Sequence, residues 1–223
     1  MRYFLLGFDP AQMRDYAALA AVEVTRNDND LLLRLFALER RQRLSYPDLV
    51  SWAAAALKIP DFNTNVTRPP ELVLDSTGVG IAIRDLLIKA GVSPIAVSWT
   101  SGNVVTKDDE RNYHVGKAVL VGKFIAAFDA GRFLVNPNLP MYPQFEKELL
   151  AYKAEISSRG NAVFEAGKGE HDDLLSACIL ATWWAEARPK PKPQPRLVLP
   201  RADHTITPSW RIPSILDSPF SKR

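Results

Sequence analysis

The residues in this chain best suited to chemistry are carboxylates at the ends of apolar runs. Asp9 closes Tyr-Phe-Leu-Leu-Gly-Phe-Asp, Asp75 closes Glu-Leu-Val-Leu-Asp, and Glu170, Asp172 and Asp173 precede a long apolar segment. An Asp after a strand or before a helix also has an ordinary use, because its side chain caps the turn or the first helical amides. One cap accounts for one Asp. Glu170, His171, Asp172 and Asp173 in succession crowd like charges that repel unless some meet a cation or a proton. Hard divalent ions such as Mg²⁺ and Mn²⁺ prefer carboxylate oxygens, and two ions about 3.5–4 Å apart can clamp the attacking and leaving oxygens of a phosphodiester. Cys178 is the only cysteine, so no internal disulfide is possible, and the scattered His114, His171 and His204 have no zinc-finger spacing. Any metal is therefore expected to be held mainly by oxygen.

The elements that must position these acids are readable as follows. Arg2 to Asp9 is an apolar strand stopped by Pro10, which cannot extend a central strand. Ala17 to Thr25 and Leu31 to Leu38 are strand-like and separated by Asn27-Asp28-Asn29-Asp30, a hairpin turn, giving an antiparallel meander. Tyr46 to Leu57 is an Ala-rich helix with Ser45 as candidate N-cap, and Arg68-Pro69-Pro70 leads into Glu71–Gly80. Leu72, Val73 and Leu74 suit a strand buried on both faces and parallel to the first, with Gly78 and Gly80 turning the chain into a helix over Ile81 to Ala90. Gly91 ends that helix and Ser93 to Ser98 forms a further strand. The expected architecture is an α/β domain with a five-stranded mixed sheet and helices on both faces.

Beyond the sheet, Thr100 to Asn112 reads as a polar surface loop, Tyr113 to Ala130 as a helix ended by Gly131, and Arg132 to Val135 as a short strand. Leu139 to Tyr152 gives another helix, Ala154 to Glu165 a hairpin around Arg159-Gly160-Asn161, and Gly167 to Asp173 opens a helix reaching about Ala187.

The 223 residues, with 47% hydrophobic and 24% charged, suffice for one globular domain with a real core. No apolar run approaches the roughly 18 residues of a membrane span, and Tyr3 to Phe8 is too short for a signal-peptide core, so a soluble intracellular protein is expected. The formal charge of +3 is unevenly placed: eight of the 28 Lys and Arg lie after Ala187, against two acids. The body is mildly acidic and the basicity belongs to the tail, so pI alone is weak support for nucleic-acid binding.

In order and separation, Phe8-Asp9, Val73-Leu74-Asp75-Ser76-Thr77-Gly78-Val79-Gly80 and Glu170-His171-Asp172-Asp173-Leu174 resemble the C-terminal nuclease domain of tailed-phage large terminase subunits. That family has a ribonuclease H-like fold related to Holliday-junction resolvases, and the resemblance covers about Tyr3 to Ala187. It implies a metal-dependent endonuclease acting by two-metal hydrolysis. Asp9 would bridge two Mg²⁺ or Mn²⁺ ions, Asp75 would hold one, and Asp172 or Asp173 the other. Adjacent helical residues point about 100° apart, so which of the pair is the inner ligand stays open. His171 would bind metal or assist proton transfer, or else serve the helix start. Lys117 and Lys168 are candidate contacts to DNA phosphates, although a solvated Lys is commoner.

The resemblance also implies partners: double-stranded DNA, a terminase ATPase domain or subunit, portal protein and small terminase, in the cytoplasm of a bacterial host. No Gly-x-x-x-x-Gly-Lys-Ser/Thr is present, since Gly167-Lys168 is followed by Gly169, so ATP use is expected of a partner. A junction or flap resolvase on the same fold and a non-catalytic packaging or scaffold module are the competing functions. Residues 1–187 form the expected nuclease domain. In 188–223 Pro189, Pro191, Pro193 and Pro195 alternate with Lys and Gln, favouring an extended tail whose Trp210, Ile212, Ile215, Leu216 and Phe220 would dock on a surface.

Overall fold

A computed structural model describes residues 1–11, 15–27, 30–151, 153–156, 162–165 and 172–188. Lys168, Glu170, His171, the Arg159-Gly160-Asn161 turn and the tail from Pro189 onward lie outside the described residues. Met1–Arg188 forms one compact unit.

The chain runs β1 (Arg2–Asp9), β2 (Tyr16–Arg26), β3 (Leu31–Gln42), α1 (Tyr46–Ala56), α2 (Pro60–Asn63), β4 (Glu71–Asp75), α3 (Gly80–Lys89) and β5 (Ile95–Thr100). It continues through β6 (Val105–Lys107), β7 (Asn112–Gly116), α4 (Lys117–Asp129), β8 (Phe133–Val135), α5 (Tyr142–Ala151), β9 (Lys153–Ile156), β10 (Ala162–Glu165) and α6 (Asp173–Ala187). One mixed sheet has the order β6-β7-β5-β4-β1-β2-β3-β8, and β9 pairs with β10 in a separate hairpin. β1, β4, β5 and β7 run parallel, while β2 is antiparallel to β1 and β3 to β2.

The sheet corrects the expected five strands to eight. Part of the increase comes from Thr100 to Asn112, which is not a loop throughout: Val105–Lys107 forms an edge strand on Asn112–Gly116. Its side chains are exposed on both faces, so the apolar alternation that marks a half-buried strand is missing. Asn112–Gly116 is strand as well, and the following helix begins at Lys117 instead of Tyr113.

Strand alternation divides the core into two layers. Tyr3 and Leu5 of β1 and Val73 of β4 pack with α4 and α6. Phe4, Leu6, Phe8, Leu72 and Leu74 pack on the opposite face with α1 and α3. α6 is apolar nearly all round, as expected of a helix enclosed on every side, and Leu174 through Ala185 are buried. It lies very close to the sheet because its partners are small. A Cβ on Gly7 would collide with the carbonyl oxygen of Ala177, and Ala18 and Ala20 of β2 floor the same layer. That close approach fixes the start of α6 near the end of β1. At its other end Arg188 ion-pairs with Glu71 and lies over the Tyr3 ring.

Candidate metal and catalytic site

Asp9 and Asp75 finish neighbouring parallel strands, one residue beyond the Phe8–Leu74 pair on each. Alternation carries both to the α6 face, because Leu5 and Val73, which share their parity, belong to that layer. Asp172 is the N-cap residue of α6 and Asp173 its first residue, and the Ser176 N–H donates to the Asp172 carbonyl at 2.8 Å to open the helix. Asp172 makes no side-chain capping bond.

The electrostatics record the convergence. Burial pushes the Asp9 carboxyl well above the usual carboxylate range, and Asp75, Asp173, Asp172 and Glu148 push it further. Asp9 keeps part of its surface open, yet desolvation is the leading cause of its shift. Asp75 is raised to about 6, chiefly by burial, with bonds from Thr77 opposing the shift and Asp172 adding to it. Its Oδ1 accepts the Thr77 N–H at 2.7 Å, which tethers one oxygen.

The turn after Asp75 is built to hold that geometry. The Ser76 N–H donates to the Val97 carbonyl at 2.9 Å and the Trp99 N–H donates to Thr77 Oγ1 at 2.9 Å, tying the turn to β5. Gly78 has φ +54°, and a Cβ on Gly80 would meet the Asp75 carbonyl, so α3 can begin directly beside the acid only because these positions are glycine.

The sequence reading missed Glu148. It is 6% exposed on α5, is raised to about 7 first by burial and then by Asp173, and lies near enough to Asp9 to affect its ionisation. Its signal was a carboxylate three residues after the buried Phe145 and one before Leu149, inside the apolar stripe of an amphipathic helix.

The structure thus brings Asp9, Asp75, Asp172 and Asp173 within electrostatic reach, with Glu148 behind them. Lys117 starts α4 at the end of β7, on the same carboxyl edge of the sheet as Asp75 but two strands away. Lys168 and His171 lie outside the described residues. Among the described residues no three acidic, histidine or cysteine side chains already close around one point as a metal cage.

No protein-family model and no curated protein matches this sequence. Solved structures do match in three dimensions. The large terminase nuclease from thermophilic phage G20c with bound cobalt aligns at TM-score 0.57 and 19% identity, over 81% of this chain and 80% of that one. The same nuclease with bound magnesium gives 0.57 at 20% identity over 81% and 80% of the two chains. The Thermus phage P74-26 large terminase nuclease domain gives 0.57 at 19% over 81% and 78%. The large terminase from another thermophilic bacteriophage aligns at 0.52 and 9% identity, with 79% of this chain matching 39% of that longer protein. The fold of this chain is that of the large-terminase nuclease domains, a ribonuclease H-like α/β fold.

Proposed function

We propose that this chain is the nuclease of a phage DNA-packaging terminase and cuts duplex DNA by hydrolysing phosphodiesters with two divalent ions, Mg²⁺ or Mn²⁺. The observation that carries this is the gathering of acids at one edge of this fold, with Asp9 and Asp75 ending adjacent parallel strands and Asp172 and Asp173 opening α6, where burial first and the neighbouring acids next disfavour the charge on Asp9. Acids of like charge gathered in a partly buried place are poised for a cation, and their all-oxygen chemistry suits a hard one. The ions, when bound, supply charge neutralisation and water activation for in-line displacement at phosphorus.

The protein's own groups do the rest. Asp9, central to the cluster, would contact both ions, and Asp75, tethered through Thr77, would present its remaining oxygen to one. Asp172 or Asp173 would hold the other from the start of α6. Without a cation the cluster would repel the anionic DNA backbone, so substrate binding and metal binding should be linked. Lys117 and Lys168 would meet phosphates, and His171 would bind metal or move a proton. The ATPase, portal protein and small terminase are the proposed partners, in the host cytoplasm, and residues 188–223 would serve the portal or DNA.

The test is cleavage of linear and supercoiled duplex by the pure chain with Mg²⁺ or Mn²⁺, beside Asp9→Ala. Metal-dependent cutting by the parent alone is expected. No cutting with either ion would favour a non-catalytic packaging module, and preferential cutting of four-way junctions or flaps would favour a resolvase.

A further inference from the structure

α6 carries an acid at its N-cap position but no cap of its own. Asp172 makes no side-chain bond to the first helical amides, although Asp is among the best N-cap residues and the exposed donors of a first turn need acceptors. The acceptor comes from another helix. The Leu175 N–H, third in α6, donates to Glu148 Oε2 of α5 at 3.0 Å. Glu148 Oε1 accepts from the Arg40 guanidinium of β3 at 3.2 Å, and that guanidinium lies 4.1 Å from the centre of the Tyr16 ring on β2. Glu148 is 6% exposed, and the Arg40 side chain is also mostly covered, so this chain of contacts is a buried strut between the sheet and the first turn of α6.

We propose that Glu148 is the positioning residue of the acidic cluster: by supplying the cap of α6 from outside, it leaves Asp172 uncommitted to capping and holds the helix start where Asp172 and Asp173 face Asp9. This rests on the nuclease reading only for its consequence, because the cap itself is a feature of the fold. Both Glu148 oxygens are already engaged, one by an amide and one by Arg40, which suits an anchor better than a cation ligand. A local cap would have turned Asp172 back onto its own helix, away from the sheet edge. A cap delivered from α5 resolves that conflict, and Arg40 offsets part of the cost of burying its carboxylate.

Glu148→Gln and Glu148→Ala separate the roles. Gln keeps a carbonyl oxygen for Leu175 and loses the charge, whereas Ala loses the acceptor. Amide hydrogen exchange should show Leu175 and its first-turn neighbours exchanging at least about tenfold faster in Glu148→Ala, with the later turns of α6 unchanged and with protection largely restored in Glu148→Gln. Mn²⁺ affinity, measured by calorimetry on folded protein, should weaken about tenfold or more in Ala and within about threefold in Gln. Unchanged first-turn exchange in Ala would overturn the proposal, as would unchanged Mn²⁺ affinity in Ala alongside a parent that binds. Equal loss of Mn²⁺ affinity in Gln and Ala would also overturn it, because the carboxylate itself would then be a ligand. A parent indifferent to Mn²⁺, with accelerated Leu175 exchange in Ala, would sink the nuclease reading and leave the anchoring role supported.

Discussion

Two helix starts in this molecule use the same residue types to opposite ends. At α1, Ser45 Oγ accepts the Asp48 N–H and Asp48 Oδ2 accepts the Ser45 N–H, each at 3.3 Å, a reciprocal capping box. Its acid is spent on its own helix. At α6, Asp172 occupies the capping position without capping, and the amide it would serve is satisfied by Glu148. A carboxylate that obeys its local rule is explained by that rule. One that breaks it, while a remote residue compensates, is available for another task.

The strongest way to sharpen the contrast is to neutralise an acid at each place. Asp9→Asn should reduce metal-dependent cleavage by at least about a thousandfold, a loss of about 4 kcal/mol in transition-state stabilisation, while raising the melting temperature of the metal-free protein, because burial and four neighbouring acids oppose Asp9's charge. Asp48→Asn should leave cleavage at the parent rate. Parallel cleavage assays and melting curves decide it: an active Asp9→Asn, or one that melts lower, contradicts the cluster's proposed role.

The next largest effect is on pH. Asp75 is raised from 3.8 to about 6, so between those values the unfolded chain releases a proton that the folded chain retains. Stability is then full below about pH 4, falls as pH rises, and has lost this contribution above about pH 6. A shift of about two units corresponds to on the order of 3 kcal/mol, before solvent screening at this partly open site reduces it. Glu148, raised to about 7, has the same sign and extends the decline toward neutrality. Denaturant melts of chelated protein from pH 4.5 to 7.5 should show the fall, and Asp75→Asn should flatten its lower half. Identical pH profiles for parent and variant would show that Asp75 titrates normally.

A cation should reverse that penalty. With Mn²⁺ at about 100 times its dissociation constant, mass action adds about 2.7 kcal/mol to the native state. The melting temperature should rise with Mn²⁺ in the parent and not in Asp9→Ala. A flat titration in the parent would count against a metal site at these acids and, with it, against the nuclease reading.

The contrast also separates what was readable in the sequence from what was not. Asp9 and Asp75 stood out because each ended an apolar run, and burial of those runs is what brings them to one edge of the sheet. The Ser45 cap was readable because its two partners are three residues apart. Glu148 was not, since its partners Leu175 and Arg40 are brought to it only by tertiary packing. Of the two edge strands, β8 was readable as the short run Arg132 to Val135, whereas β6 was missed for a related reason: it is held by backbone bonds to β7 with exposed side chains, leaving no periodic apolar signal. Local chemistry writes itself into short spacings, whereas a strut between distant elements is visible only as one charged residue out of place on an apolar stripe.

The smallest expected effect tests the ordinary side of the comparison. Ser45→Ala removes the oxygen that accepts the Asp48 N–H and breaks half of the capping box, while Tyr46 and Pro47 still start the helix. Loss of such a cap costs about 1 kcal/mol. The hydrogen bonds of this box are exposed and within three residues of each other, so the loss should stay local. Leu49, Val50 and Trp52 remain buried against the sheet and hold α1 in place. Because α1 packs on the layer opposite α6, the distances among Asp9, Asp75 and Asp172 should not change, and neither should Mn²⁺ affinity. Chemical denaturation should therefore register a shift of about 1 kcal/mol in Ser45→Ala, with cleavage rate and metal binding at parental values. A Ser45→Ala variant that lost metal affinity as Glu148→Ala is expected to do would show that the two layers communicate, and the difference between a helix start that caps itself and one capped from outside would lose its functional meaning.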